Sequence, residues 1–385
     1  MFNFIHSIGK PKSAQQPVQP GLYHYQASQN DPRNYRLHLR VEQDGSGVMI
    51  VNAATVLHLN QSAAEYAYYF LQNQPADFVA RAMSRRYQVS QQQAGDDYLD
   101  FAGRILTLVE MPDLDPVTFL DFERRMPYSG RLTAPYRLDI ALTYRLPESE
   151  DPESAPTKRV ERELSSDEWK SVLDSAWKMG IPHVVFTGGE PTLRDDLPEL
   201  IAHAESNGQV SGLLSDGLRF TDQGYLDSLL RTGLDHMMIV FQEQFEAAWI
   251  ALDKVIAADV FVAVHLTLTE ENSAGMQQLL AKLAERGVKA VSLSTSQPGL
   301  NEQLAKLRDL VASYGLELVW DLPVPYSAFN PVSLELKASE PATVEKSAAL
   351  YIEPDGDVLP VQGDTHLLGN VLRDTWDFIW KQKNS

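Results

Sequence analysis

The 385-residue chain contains no cysteine. That absence excludes disulfides, thiolate-bound zinc and iron–sulfur clusters ligated by the chain's own cysteines. Long apolar runs are missing too, since no stretch approaches the roughly 20 residues that a membrane-spanning helix requires. Positive charge is scarce: 33 Lys and Arg stand against 52 Asp and Glu, for a formal net charge of −19. A nucleic-acid surface needs a basic stripe, so neither a nucleic acid nor a membrane is an expected partner. The bland reading of the charge is solubility. Residues 1–20 carry a short apolar patch (Phe2, Phe4, Ile5) and then a stretch rich in Pro and Gln. They lack the cationic start and apolar core of a secretory signal, so a flexible tail and a cytoplasmic location are expected. The nine histidines show neither HxH nor HExxH spacing. No Walker loop or Gly-x-Ser-x-Gly elbow occurs.

In the front part, residues 35–42 alternate polar and apolar side chains, as a half-buried strand does. Asp44-Gly45-Ser46-Gly47 supplies turn chemistry, and 48–60 reads as the returning hairpin. Three helices are expected after it: one opened by Ser62-Ala63-Ala64-Glu65 as a capping box, one over 75–87 and one over 90–110. The outline is winged-helix-like. The residues Val56-Leu57-His58-Leu59-Asn60, Ser62–Tyr66 and Ala80–Tyr87 resemble the PqqD-like peptide-recognition domains. That resemblance implies a leader peptide added as a strand to an exposed sheet edge, with Tyr35, Leu37, Leu39 and Val41 on the candidate edge. The alternative is a structural appendage.

Beyond a Pro-bearing linker at 112–133, strand and helix patterns alternate. Strands are expected at 137–144, 183–187, 210–215, 236–242, 261–269, 290–295 and 316–321. Helices are expected at 166–179, 195–207, 221–232, 243–258, 274–286 and 301–314. Such repeats imply a parallel sheet whose ligands sit at the carboxyl ends of the strands. Thr187-Gly188-Gly189-Glu190-Pro191 and Ser215-Asp216-Gly217 both fall there. Paired glycines allow close backbone approach, and Glu190 can receive an ammonium group. Together these stretches resemble radical SAM enzymes, in which a GGEP turn holds the amino acid end of S-adenosylmethionine. The resemblance implies a partial (β/α)6-type TIM barrel and assigns Thr187, Gly188, Gly189, Glu190, Pro191, Ser215 and Asp216 to a vestigial cofactor pocket. His265, on the strand face with Thr267 and Thr269, is the best candidate for an acid–base or ligand-contacting group; the alternative is a hydrogen-bonded interior histidine.

In that family a CxxxCxxC loop after the first strand binds a [4Fe–4S] cluster. Here Leu146, Glu150 and Glu153 occupy the cysteine spacing, in what reads as a solvated loop to about Pro156. Hydrocarbon and hard carboxylates are poor ligands for such a cluster. The tail, with its Pro354-Asp355-Gly356-Asp357 turn and its Gly369-Asn370 and Trp376/Trp380 ending, resembles a SPASM-type extension. Ser327 and Val361 stand there where relatives have cysteine. The expected division is 1–20 tail, 21–111 peptide-recognition domain, 112–133 linker, 134–322 barrel and 323–385 extension.

The resemblance with its lost thiolates suggests a non-catalytic homologue that binds a peptide substrate or leader peptide as scaffold or accessory to an active radical SAM maturase. No cofactor is then expected, and no iron–sulfur cluster. A second reading is a cluster-free enzyme with a repurposed barrel pocket that still binds S-adenosylmethionine. A third is a structural subunit pairing with a cysteine-bearing paralogue.

Overall fold

The computed structural model describes residues 18–28, 31, 33, 35–51, 55–111, 134–148, 150–295, 297–319, 322–337 and 348–383. Most of the expected tail (1–17) and the whole expected linker (112–133) lie outside the described residues. Two compact units emerge: one built from residues up to Ala134 with Ala176–Pro182, the other from Pro135–Ser175 with the chain from His183 onward.

In the first unit β1 (Gly21–Gln26), β2 (Arg36–Val41), β3 (Gly47–Val51) and β4 (Thr55–Leu59) form an antiparallel meander in that order. Three helices follow, α1 (Gln61–Leu71), α2 (Ala76–Arg86) and α3 (Gln91–Glu110). Their apolar faces meet the sheet around Leu37, Leu39, Met49, Tyr66, Met83 and Ile105, all fully buried. The cap of α1 differs from expectation. The Asn60 side chain, not Ser62, accepts the Ala63 N–H. Glu65 is buried instead, taking a hydrogen bond from Tyr69 Oη at 3.1 Å and pairing with Arg86 at 3.3 Å.

The expected peptide edge is corrected here. β2 is paired on both sides, with β1 through Gly21↔Val41 to Gln26↔Arg36 and with β3 through Leu37↔Val51 to Val41↔Gly47. It therefore has no free backbone groups to offer a peptide, and Tyr35, Leu37, Leu39 and Val41 are core residues. The strand that covers it, β1, was not anticipated from the sequence. Among the described residues, the unpaired edges of this sheet are β1 and β4.

The second unit alternates strand and helix as the pattern predicts: β5 (Arg137–Thr143), α4 (Ser166–Lys178), β6 (His183–Gly188), α5 (Leu197–Asn207), β7 (Val210–Ser215), α6 (Gln223–Leu230), β8 (His236–Val240), α7 (Glu246–Ile256), β9 (Phe261–Leu268), α8 (Met276–Glu285), β10 (Ala290–Thr295), α9 (Asn301–Val311) and β11 (Glu317–Leu318). β5 to β11 are parallel and adjacent in chain order. Such order follows when each crossover packs a helix against the strand pair it joins. One face of the sheet is lined by Val185, Leu214, Met238, Ala263 and Ala290. The tail continues the sheet: β12 (Ala349–Ile352) pairs parallel with β5, then β13 (Asp357–Leu359) and β14 (Gly369–Asn370) add antiparallel strands. Gly356, at φ 89°, makes the expected turn of that hairpin. α10 (Trp376–Lys383) ends the described chain.

Leu213 is fully buried on β7, in register with Phe186 and Met237. Leu213→Ala is expected to cost about 2–5 kcal/mol, read from denaturant unfolding. A loss below about 1 kcal/mol would contradict close packing at the centre of this sheet.

Candidate functional site

Three strand ends build the site. β6 ends at Gly188, whose φ of 137° an L side chain rarely adopts. A Cβ on Gly188 would lie 2.1 Å from the Thr143 carbonyl oxygen, and one on Gly189 would lie 2.4 Å from that of Arg145. Sequence reasoning assigned these glycines to close approach of a small molecule. The structure shows that they let the turn close on the segment following β5. Gly189 N donates to Thr143 O at 2.8 Å, and Glu190 N to Arg145 O at 2.8 Å.

Glu190, 3% exposed, is the centre of the site. Its Oε1 accepts from Thr192 N (2.9 Å), Thr192 Oγ1 (2.5 Å) and Ser215 Oγ (2.9 Å), while Oε2 accepts from Asp216 N (2.8 Å). One carboxylate thus ties the β6 turn to the end of β7. Pro191 opens a short 3-10 turn, Pro191–Leu193, that Glu190 caps. Burial pushes the Glu190 carboxyl up, against these four bonds, which pull it down. Asp216 is pushed up to about 8, first by burial and then by the Glu190 charge, with Glu150 adding to it. Two adjacent buried carboxyls do not both ionise cheaply, so they share a proton near neutral pH. Glu190 accepts four hydrogen bonds and Asp216 one, from Leu218 N at 2.8 Å, which favours the proton on Asp216.

A narrow open cleft with a free volume of about 10 Å³ lies over this pair. Among its lining residues are Leu146, Glu150, Glu190, Asp216, Gln242 and Ser327. Three of the five positions where the family has cysteine, Leu146, Glu150 and Ser327, therefore gather here. Glu150 is fixed, with Oε2 accepting from Ala328 N at 2.8 Å. The Ser327 hydroxyl accepts from the N–H groups of Phe329 and Asn330, each at 3.3 Å. Glu153 is exposed and paired with Lys158 at 2.7 Å, and Val361 does not line the cleft. The described part of the 146–156 segment is solvated at Glu148 and at Asp151, Pro152 and Glu153, as expected, but its end is packed down. Ser154 and Ala155 are buried, and just beyond it Arg159 Nε donates to Glu353 Oε1 at 2.6 Å. Packing against the tail, which sequence spacing does not reveal, holds it down.

The remaining candidates lie apart from the cleft. His265 is buried between two hydroxyls, its Nδ1 and Nε2 each 3.0 Å from Ser292 Oγ and Ser294 Oγ, and does not line the cleft. Burial lowers it to about 4, so the ring is neutral at physiological pH. Thr187 is fully buried, and its hydroxyl meets no partner among the described residues. Sequence reasoning missed Gln242, just past β8, and Tyr326, whose N–H donates to Gly188 O at 2.9 Å. The position of Gln242 at a carboxyl strand end was the available signal. Nothing in the sequence marks Tyr326. Among the described residues no group of three or more His, Cys, Asp or Glu is arranged to hold a metal ion, and no helix is long and apolar enough to cross a membrane.

Residues 146–311 match the family described as the Radical SAM superfamily. The chain is 34% identical to the PqqA peptide cyclase of Granulibacter bethesdensis over 112 residues, covering 28% of this chain and 29% of that protein. It is 32% identical to the PqqA peptide cyclase of Gluconobacter oxydans over 179 residues, covering 42% and 50%. It thus spans half or less of the length of each of these relatives. Streptococcus suis SuiB bound to S-adenosylmethionine shares the fold at 14% identity with a TM-score of 0.57, covering 89% of this chain and 86% of SuiB. SuiB bound to its precursor peptide SuiA gives a TM-score of 0.56 at 12% identity, covering 93% and 88%.

These findings correct two expectations. Lost thiolates suggested a non-catalytic scaffold, but the relatives that match this chain in sequence are named as enzymes, peptide cyclases, so that reading is withdrawn. The expectation of no cofactor is overturned by the superfamily match, which implies S-adenosylmethionine and an iron–sulfur cluster. The structure fits the two groups differently. The buried Glu190–Asp216 pair, beside a cleft without a basic side chain, suits the ammonium end of S-adenosylmethionine. For the cluster, this chain's own donors do not fit: Leu146 offers hydrocarbon, Glu150 is tied to Ala328, and Glu153 faces solvent.

Gly188→Ala is expected to cost about 2 kcal/mol or more, because the new methyl meets backbone. A melting curve unchanged from the parent would contradict this packing. Folded Asp216 keeps its proton to about pH 8, against an ordinary value of 3.8. Between those values the folded state binds more protons than the unfolded chain, so stability falls as pH rises across that window. Asp216→Asn is expected to flatten the fall, and an unaltered slope would show that Asp216 does not carry the proton.

Proposed function

We propose that this chain, whose central domain is of the radical SAM superfamily, is a peptide-modifying enzyme that acts on a peptide with S-adenosylmethionine as cofactor. The observation that carries the reading is the buried, four-donor Glu190 carboxylate beside Asp216, at the carboxyl ends of adjacent parallel strands and open to one cleft. Ligands of such sheets bind at that end. The names of the relatives and the superfamily match supply the chemistry class.

In this reading the cofactor's ammonium meets Glu190, backed by Ser215 and Asp216. Bound there, S-adenosylmethionine supplies a sulfonium whose carbon–sulfur bonds are the reactive ones. The protein's own part is to orient that end and keep the site narrow with Tyr326 and Leu146. The sheet bends into a partial barrel, and the tail is a SPASM-like extension. The front unit is a PqqD-like recognition domain with a winged-helix outline. It takes the peptide as an added strand on an open edge, β1 or β4, where unpaired backbone groups are available.

Calorimetry with S-adenosylmethionine tests this. Binding is expected to tighten between pH 6.5 and 8.5 with release of a proton, because an arriving cation displaces the proton on Asp216. Glu190→Gln is expected to weaken it about tenfold or more, about 1.4 kcal/mol. Absence of binding to the parent protein would contradict the proposal.

A further inference from the structure

Resting on that reading, we propose that Arg219 is a positioning residue of the candidate site: it fixes the Thr192 carbonyl so that both Thr192 donors stay aimed at the Glu190 carboxylate. Arg219 does not line the cleft, so it acts through Thr192 rather than on a ligand. The chain brings it there by a short route. Gly217, at φ 75°, turns the backbone from the end of β7 into the 3-10 turn Leu218–Thr221, and the fully buried Phe220 anchors that turn.

The guanidinium meets three partners. Its Nη1 donates to Thr192 O, and its Nη2 lies 3.4 Å from Asp195 Oδ1. Its Cζ stands over the Tyr225 ring, 4.0 Å from the ring centre. Tyr225 is itself set in place at the start of α6, where Asp222 Oδ1 accepts from Gly224 N at 2.9 Å and from Tyr225 N at 3.3 Å. The Phe220 and Tyr225 rings run within 15° of parallel. An ion pair with Asp195, whose side chain is almost fully exposed, would not order an arginine by itself. The carbonyl and the ring supply the rest, since a planar guanidinium combines directional donors with a stacking face.

This support reaches Glu190. Thr192 N and Thr192 Oγ1 are two of the four donors on Glu190, and both meet Oε1. The Pro191–Leu193 turn that carries them is closed by Leu193 N to Glu190 O and Arg194 N to Pro191 O, each at 3.1 Å, and neither bond holds the Thr192 carbonyl. Arg219 does. Glu190 reaches forward to Ser215 and Asp216, and Arg219 reaches back to Thr192 from the segment just beyond them. Two separate links therefore join the β6 turn to the end of β7.

Releasing Thr192 weakens bonds that favour the ionised Glu190, so the Glu190 carboxyl rises; as its charge fades, the Asp216 carboxyl falls. Loss of a positive charge alone would raise both carboxyls, and a purely structural role would move neither. Glu150 also bears on Asp216, and Asp195 and Tyr225 lie beside Arg219, but the substitution leaves all three in place.

Carbon-13 titration of labelled side-chain carboxyls in the full chain, without cofactor, separates these cases. In R219Q the Glu190 midpoint is expected to rise, and the Asp216 midpoint to fall, by about one pH unit each. R219K keeps the charge without the planar fork and is expected to show the same split at about half the size. Both carboxyls rising together in R219Q overturns the inference, as do parental titrations in either folded variant, and R219K decides alone if R219Q does not fold. Calorimetry adds a second readout: R219Q is expected to bind S-adenosylmethionine about fivefold more weakly than the parent protein, and equal binding overturns the positioning role. Failure of the parent to bind S-adenosylmethionine overturns the functional reading alone, because the split is measured without it.

Discussion

A buried carboxylate without enough partners would unravel the end of this sheet. Glu190 avoids that by accepting from Thr192 twice, from Ser215 and from the Asp216 backbone, joining consecutive strand ends through one side chain. The glycines on either side of the turn's closure let the backbone press against the Thr143 and Arg145 carbonyls. The same closure drapes Leu146 and Pro147 along the cleft. Structure and binding chemistry therefore share one set of atoms. The price is a second carboxyl, Asp216, that holds a proton far above its ordinary range until a cation arrives.

The segment that follows β5 is where this chain departs most from the family it resembles. Its hydrocarbon and carboxylate side chains were readable from the sequence as unable to ligate iron and sulfur. Their fate in three dimensions was not. Two of the three turn toward the cleft and one toward solvent, and the segment is pinned by Glu150 to Ala328 and, through Arg159, to Glu353. Both anchors lie far along the chain, so neither spacing nor periodicity exposes them. Inferring inactivity from the missing thiolates went too far, since relatives that match part of this chain are named as peptide cyclases.

Much of the second unit was legible because its signals are local. Apolar strands, amphipathic helices and glycine turns placed β6, β7 and β10 almost to the residue, and the same signals located Glu190 and Asp216. The first unit was harder. Residues 36–41 show the alternation of a half-buried strand, and that pattern alone cannot say whether a neighbour covers the outer side. Gly21–Gln26, with its mixture of aromatic and polar residues, supplies that neighbour and moves the open edge elsewhere. Asn60 displaced Ser62 as the cap of α1 for a similar reason, because Glu65 is drawn into the core by Tyr69 and Arg86. Gln242 and Tyr326 became visible only once distant strand ends were brought together.

The central claim is that Glu190 and Asp216 form a proton-sharing pair poised for a cation. Carbon-13 NMR of labelled side-chain carboxyls, followed through a pH titration with and without S-adenosylmethionine, reads that pair directly. The expected result is an Asp216 carboxyl that titrates near pH 8 in the free protein and shifts downward when the cofactor is added. An Asp216 that titrates in the ordinary carboxylate range and ignores the cofactor would contradict the account.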